Sequence, residues 1–141
     1  MLIGSTIHRV AQLVQQRIDE EIADSGLTRL SWIAAGHLGE TPGMSITDLA
    51  SRLELANATT GQLVDRMVAN GWVYRTPSPT DRRTQVITTT KKAQKALRRL
   101  APRRDRLQRS ILQDLTHDER NLLFSLMERI RLRLSNKRID R

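Results

Sequence analysis

The feature that most constrains the fold is a pair of short amphipathic segments separated by three residues. The first reads SITDLASRL, with Asp48 three residues after Ser45, a capping-box spacing. The connector is ELA, and the second segment runs from Asn57, which we expect to cap it, to Asn70 and Gly71, a typical helix C-terminus. Two helices joined by so tight a turn are typical of a helix-turn-helix.

The segment that follows predicts a β-hairpin. WVYRT, from Trp72, and TQVITTT, ending at Thr90, have the composition of strands and are separated by a turn that contains Pro77 and Pro79. Helical patterns lie on both sides of this region. The predicted order is four helices, two strands and two helices: a mainly α fold in which a winged helix-turn-helix lies between terminal helices.

The terminal helices are predicted from spacing and capping residues. Apolar steps of three and four from Ile3 to Ile22 indicate one long amphipathic helix, and Thr28 is expected to cap a second, through about Leu38. Thr90 should cap a basic helix, which Pro102 is expected to kink or interrupt. The last helix follows THDE at 116–119, a capping box.

Positive charge is concentrated in one part of the chain. The protein carries a formal charge of +9 at pH 7, and the segment between Arg75 and Arg109 holds twelve Lys or Arg residues against two acidic ones. Such an imbalance favours a polyanionic partner, with nucleic acid ahead of an anionic membrane surface. A solvated helix face is the alternative.

Several classes of function are excluded by composition. The chain has no cysteine, which rules out disulfides, thiolate metal sites and thiol-based oxidant sensing. No stretch approaches the ~20 apolar residues of a membrane span, and the N-terminus lacks a signal-peptide pattern, so we expect a cytoplasmic protein. His8, His37 and His117 lie on separate segments. We therefore expect no enzyme, no cofactor and no metal.

One side of the second helix of the motif is suited to reading DNA. At 100° per residue, the side opposite its apolar residues carries Ala58, Thr59, Gln62 and Arg66. Small residues let the backbone approach a duplex, and Gln and Arg contact base edges well. We assign Thr60 to packing and Asp65 to orienting a neighbouring arginine. An ordinary exposed face is the alternative.

The tip of the hairpin carries Asp81, Arg82 and Arg83. A hairpin beside a recognition helix can reach the minor groove, whose negative potential favours an inserted guanidinium. Asp81 would repel phosphates there unless it holds an arginine by a bidentate pair. The three residues are predicted to supply one orienting group, one phosphate contact and one inserted side chain, although loop arginines are often simply solvated.

The span from Ser45 to Ala93 resembles the DNA-binding core of the MarR family of bacterial transcriptional regulators, most specifically in LVDRM…NGWV followed by DRR. GLTRLSW resembles the SlyA branch. The resemblance implies one domain over 1–141, with dimerisation helices at 3–25 and 91–138 around a DNA-binding region at 28–90. It also implies a homodimer on a palindromic operator in double-stranded DNA. Arg83 matches the family's minor-groove residue with Asp81 as its positioning partner, and we assign Arg82 to phosphate.

The resemblance also implies base-facing positions at Ala58, Thr59 and Gln62, and a small-molecule effector. By position, the effector pocket would be lined by Arg9, Trp32, Gly36 and Met67. Arg9 would pair an acid group, and the effector would be a small aromatic acid, a phenolic or a thioester. Trp32 and Met67 as core residues, Arg9 as a solvated one, and no ligand at all are the alternatives. Thr89, where the family has leucine, and Pro102 depart from the pattern.

These observations predict a ligand-responsive transcriptional regulator, more often a repressor than an activator. A basic amphipathic protein on membranes would explain the charge but not the compact helix-turn-helix or the hairpin. A nonspecific nucleoid-type DNA binder is the remaining alternative, and it would show little sequence preference where a repressor prefers its operator ~10³-fold or more.

Overall fold

The computed structural model describes residues 2–136, which form six helices and one two-stranded antiparallel hairpin. In chain order the elements are α1 (Ile3–Ile22), α2 (Arg29–Glu40), α3 (Ile46–Leu53), α4 (Asn57–Ala69), β1 (Val73–Pro77), β2 (Gln85–Thr89), α5 (Lys91–Ile111) and α6 (His117–Asn136). This order confirms the predicted fold class. Of the predicted dimerisation segment 91–138, residues 137 and 138 lie outside the described residues.

Side chains cap four of the helices as the sequence predicts: α2, α5 and α6, and α3 of the helix-turn-helix. The Thr28 hydroxyl accepts from the Ser31 backbone N–H and begins α2. The Thr90 hydroxyl accepts from the Ala93 N–H at the start of α5. At α6, Thr116 and Glu119 form the predicted capping box, with the Glu119 carboxylate 2.7 Å from the Thr116 N–H.

The helix-turn-helix begins with a second capping box, in which the Ser45 hydroxyl accepts from the Asp48 N–H and the Asp48 carboxylate accepts from the Ser45 N–H. The Ser45 N–H holds the pKa of Asp48 below its ordinary value because it stabilises the charged carboxylate. Helix α3 ends at Glu54, which adopts a left-handed conformation with φ of 55° and donates its N–H to the Ala50 and Ser51 carbonyls. This single residue reverses the chain between the two helices.

The prediction that Asn57 caps α4 is wrong. The N-cap is Ala56, because its carbonyl accepts the first helical bond, from the Thr60 N–H, and α4 has no side-chain cap. Asn57 is already helical, and its side-chain amide donates to the Thr47 hydroxyl of α3 instead.

Helix α5 is continuous from Lys91 to Ile111, so the interruption expected at Pro102 does not occur. Proline removes the hydrogen bond that would reach the carbonyl four residues earlier, at Arg98. Both Pro102 and Arg98 are exposed. Water can therefore hydrogen-bond to the freed carbonyl, and the helix continues past Pro102.

The chain divides into two compact units, with the boundary after Asp105 inside α5. The first unit contains the hydrophobic core, whose most deeply buried side chains come from five elements: Leu49, Leu63, Val64, Met67, Val73, Ile87 and Leu100. Thr89, where a leucine was expected, is also buried, and the Gln94 amide donates to its hydroxyl at 3.5 Å. In the second unit, α6 buries none of its residues.

A bidentate contact joins the end of α1 to α5 within the first unit. Both terminal nitrogens of Arg103 donate to the Asp24 carboxylate, at 2.7 and 3.1 Å, and one of them also donates to the Glu21 carbonyl. The hydrogen bond from Arg103 lowers the pKa of Asp24 from its ordinary value.

Candidate nucleic-acid interface

Helix α4 presents two distinct sides. Thr60, Leu63, Val64 and Met67 are buried, and the Thr60 hydroxyl donates to the Ala56 carbonyl, which confirms its assignment to packing. The opposite side is exposed and carries the predicted base-reading residues: Ala58, Thr59, Gln62 and Arg66. The structure therefore brings these four side chains together on one solvent-facing surface, as helical periodicity predicted.

The hairpin is anchored in the core of the first unit. β1 and β2 pair antiparallel, with Val73 opposite Thr89 and Pro77 opposite Gln85. Ile87 is fully buried, and its N–H donates to the Met44 carbonyl just before α3 at 2.8 Å. This hairpin, residues 73–89, is the wing of the fold. Its base is thus hydrogen-bonded to the segment that begins the helix-turn-helix.

The wing tip is a compact loop organised by one carboxylate. Asp81 accepts from the Arg83 backbone N–H at 3.0 Å and from the Thr84 hydroxyl at 3.4 Å. The Thr84 N–H in turn donates to the Asp81 carbonyl, and the Ser78 N–H to the Thr84 carbonyl. The expected bidentate pair of Asp81 with a guanidinium is not observed in the described chain; Asp81 contacts Arg83 through its backbone instead.

Three exposed guanidiniums of α4 and the wing tip have no intramolecular partner among the described residues. Within residues 2–136, the side chains of Arg66, Arg82 and Arg83 take part in no hydrogen bond or ion pair. Each retains five donors in a planar fork that fits phosphate or the edge of guanine. Two of them occupy the wing tip and one the exposed side of α4, so both elements carry unsatisfied cationic donors.

An ion pair links α4 directly to the wing. The Arg75 guanidinium of β1 lies 2.5 Å from the Asp65 carboxylate of α4. The sequence predicted that Asp65 orients an arginine, and the structure confirms it. The sequence did not identify Arg75 as the partner, because Asp65 and Arg75 are ten residues apart in the chain. They come together only because the chain turns at Asn70 and Gly71.

The end of α4 is secured by residues at the start of α5. Lys92 donates to the Asn70 carbonyl at 2.7 Å and lies 4.1 Å from the centre of the Trp72 ring. The Thr90 hydroxyl donates to the Gly71 carbonyl at 2.7 Å. A cation at a helix C-terminus also interacts favourably with the helix dipole.

A cleft of about 600 Å³ lies between α2 and α5 in the first unit. Its lining includes two of the predicted effector residues, Trp32 and Gly36, together with Ile33, His37, Gly39, Glu40, Gln94, Leu97, Arg98, Ala101 and Arg104. Met67 is instead buried in the core, and Arg9 is exposed on α1 and does not line the cleft. The cleft has two cations, Arg98 and Arg104, that the sequence did not single out, because nothing local shows that α5 faces α2.

Two other kinds of site are missing from the described chain. Residues 2–136 contain no group of three or more His, Asp or Glu side chains placed to hold a metal ion. None of the helices in that range has the length and apolar character needed to cross a membrane.

The sequence is similar to one known protein family and to a known transcriptional regulator. Residues 25–84 match the model of the MarR family. The transcriptional regulator PecS of Dickeya dadantii is 26% identical over 141 residues, covering 98% of this chain and 85% of PecS.

Solved structures match nearly the whole fold. A mutant MarR from E. coli in complex with operator DNA superposes with a TM-score of 0.85 at 22% identity, covering 91% of this chain and 92% of that one. BpsR of Bordetella bronchiseptica, whose DNA binding is regulated by 6-hydroxynicotinic acid, superposes with a TM-score of 0.82 at 21% identity and covers 92% of each chain.

The family match falls on the helix-turn-helix and most of the hairpin, the elements that carry the exposed α4 surface and the wing. MarR family proteins regulate transcription and are not enzymes, which agrees with the expectation from the sequence. Residues 25–84 are thus similar to the MarR family, and the chain as a whole has the fold of winged helix-turn-helix regulators of transcription.

Proposed function

We propose that this protein represses transcription by binding a palindromic operator as a homodimer, and that a small aromatic acid controls the binding. The observation that carries the proposal is the set of unengaged donors on α4 and the wing tip, Arg66, Arg82 and Arg83. Such a regulator acts in the cytoplasm. The assignment to a SlyA-like branch stays a prediction.

Each side chain has a proposed task at the duplex. Gln62 and Arg66 read base edges in the major groove, where Ala58 and Thr59 allow the helix to approach closely. Arg83 enters the minor groove and Arg82 contacts a phosphate. Asp81 acts on the loop that holds both arginines, through the Arg83 N–H and the Thr84 hydroxyl.

The proposed homodimer is supported by unburied apolar surface at both ends of the chain. On α6 the large apolar residues are all exposed: Leu122, Leu123, Phe124, Leu126, Met127, Ile130, Leu132 and Leu134. On α1, Leu2, Ile3, Val10 and Leu13 are exposed as well. Exposed apolar residues grouped along one helix mark an interface. A second copy covers it in a two-fold dimer, and two-fold symmetry in turn requires a palindromic operator.

The proposed effector site is the cleft between α2 and α5. Arg98 supplies the cation for a carboxylate, and Trp32 supplies an aromatic surface. The regulation of BpsR by an aromatic acid supports this class of ligand. A phenolic and a thioester are the alternative effectors.

Selection of duplexes from a random pool, followed by footprinting of the consensus, tests the proposed operator. We expect an inverted repeat whose half-sites are about one helical turn apart, preferred ~10³-fold or more over unrelated DNA. A reporter gene driven through that repeat should be silenced. Uniform binding without a consensus would replace the proposal by a nonspecific DNA-binding protein.

Fluorescence anisotropy of the operator complex with added benzoate or salicylate tests the effector. We expect release of DNA in the wild type and loss of the response in Arg98→Gln. Arg9→Gln is the matched control, since Arg9 does not line the cleft, and it should respond as the wild type does. A response lost in Arg9→Gln but kept in Arg98→Gln would relocate the acid-binding residue to α1.

A further inference from the structure

Asp65 is a carboxylate on the surface that is proposed to face DNA. It follows Gln62 by three residues and precedes Arg66, and all three are exposed on α4. Its side chain is 67% exposed. A negative charge beside the phosphate backbone opposes binding, so its presence on this side of α4 calls for a compensating role.

Arg75 provides that compensation. Its position in β1 is fixed, because it lies opposite the fully buried Ile87 in the hairpin register. From there the guanidinium reaches across to α4, where Nη2 contacts Asp65 Oδ1 at 2.5 Å. The Arg75 side chain is 29% exposed, less than half the exposure of its partner, and it makes no other hydrogen bond within residues 2–136.

An arginine at this place has an alternative partner when DNA is bound. It lies at the base of the wing, next to the helix that reads the major groove, within a side-chain length of the neighbouring phosphates if those elements dock as proposed. Released from Asp65, its guanidinium would neutralise a phosphate. Such a contact adds affinity for every sequence equally, including DNA without an operator, and makes binding more dependent on salt.

We infer that Asp65 limits the sequence-independent affinity for DNA and that it acts through Arg75. The carboxylate holds the guanidinium against α4 and away from the phosphates, which removes one sequence-independent contact. The same pair joins the recognition helix to the wing, so that base reading and minor-groove insertion occur at a fixed relative position. This inference rests on the proposed docking of α4 and the wing.

The salt dependence of binding to an unrelated duplex tests the inference in a double-mutant cycle of Asp65→Asn and Arg75→Gln. Asp65→Asn keeps the size of the side chain and removes its charge. We expect its log affinity to fall with log salt more steeply than that of the wild type, by about 0.9 for one additional phosphate contact. Affinity for the unrelated duplex and for the operator should both rise several-fold at low salt, and the ratio of the two affinities should stay the same.

Arg75→Gln identifies the group responsible. We expect Arg75→Gln to leave the salt slope unchanged when Asp65 is present. In the Asp65→Asn background, Arg75→Gln should make the slope less steep by about 0.9. A residue that only supports the fold would not produce this difference between backgrounds. Thermal unfolding followed by circular dichroism establishes that all variants are folded.

The matched control is Asp19→Asn. Asp19 forms a comparable exposed pair with Arg29, at 3.3 Å, outside α4 and the wing. The Asp19→Asn substitution removes the same charge and frees Arg29 in the same way. We expect it to leave the salt slope of DNA binding unchanged.

Two results would overturn the inference. One is an unchanged salt slope and an unchanged affinity for the unrelated duplex in folded Asp65→Asn. The other is an equal effect of Arg75→Gln in both backgrounds, which would mean that Arg75 already contacts DNA in the wild type. If the wild type itself prefers no sequence, it is the proposed function that fails instead.

Discussion

At the scale of single residues, the two neighbouring arginines of the wing tip are expected to behave differently. Arg83→Ala should weaken operator binding by ~1–3 kcal/mol, because the proposed minor-groove contact is specific and no other side chain of the wing tip is proposed to make it. Titration of labelled operator by fluorescence anisotropy measures the loss. The fold should be unaffected, since the Arg83 side chain contacts nothing else in the described chain.

Arg82→Ala is the comparison for that experiment. As a proposed phosphate contact, Arg82 should lower affinity for all sequences alike and reduce the salt slope by about 1. Equal effects of the two substitutions on operator and unrelated DNA would mean that the wing makes no specific contact.

At the scale of single elements, the short helix α3 depends on its capping box. Ser45→Ala removes the acceptor for the Asp48 N–H and should lower the free energy of unfolding by about 1 kcal/mol. Urea denaturation measures the change. Ser51→Ala on the same helix is the control, because Ser51 is exposed and its hydroxyl has no partner among the described residues; alanine there should be neutral or slightly stabilising.

The contact between α1 and α5 should make stability depend on pH. Because Arg103 lowers the pKa of Asp24, the pair contributes its full stabilisation above the ordinary Asp value of 3.8 and loses it as the pH falls through the lower folded value. Asp24→Asn should therefore be less stable than the wild type near neutral pH, with the difference shrinking below about pH 4. Urea denaturation at a series of pH values measures this convergence.

Asp114→Asn serves as the control for the acid titration. Asp114 is exposed and accepts no hydrogen bond from another described residue. Its substitution should leave the difference from the wild type constant over the same pH range. A constant difference for Asp24→Asn as well would show that its pairing with Arg103 does not persist in solution.

At the scale of the whole molecule, α6 is expected to hold two chains together. Leu126→Glu combined with Ile130→Glu places two charges on its exposed apolar stripe and should convert a dimer of twice the 16.1 kDa chain mass into monomers. Light scattering after size exclusion measures the mass. Operator affinity should fall in parallel, because each monomer reads one half-site.

Ser125→Glu is the matched substitution on α6. Helical periodicity places Ser125 away from the stripe that contains Leu126 and Ile130, so the same charge there should leave the dimer intact. A wild type that is already monomeric at micromolar concentration would contradict the proposed assembly.

Much of this molecule could be predicted from local patterns. Capping residues such as Thr28 and Ser45, and the spacing of apolar residues on α4, act over one turn of helix and are visible in the sequence. What escaped prediction depends on tertiary placement. Arg98 became a cleft residue only because α5 packs beside α2, and the Asn57 side chain donates to Thr47 of α3 instead of capping α4.

The bond between the Ile87 N–H and the Met44 carbonyl has a consequence for how such regulators diverge. It makes the strands of the wing part of the same cooperative unit as the helix-turn-helix. A hairpin taken from another regulator would therefore need the residues that it packs against to be exchanged as well. The loop from 78 to 84 is free of that constraint, because its hydrogen bonds are internal. We therefore expect that exchange of these seven loop residues as one unit can change the operator preference without changes in the rest of the domain.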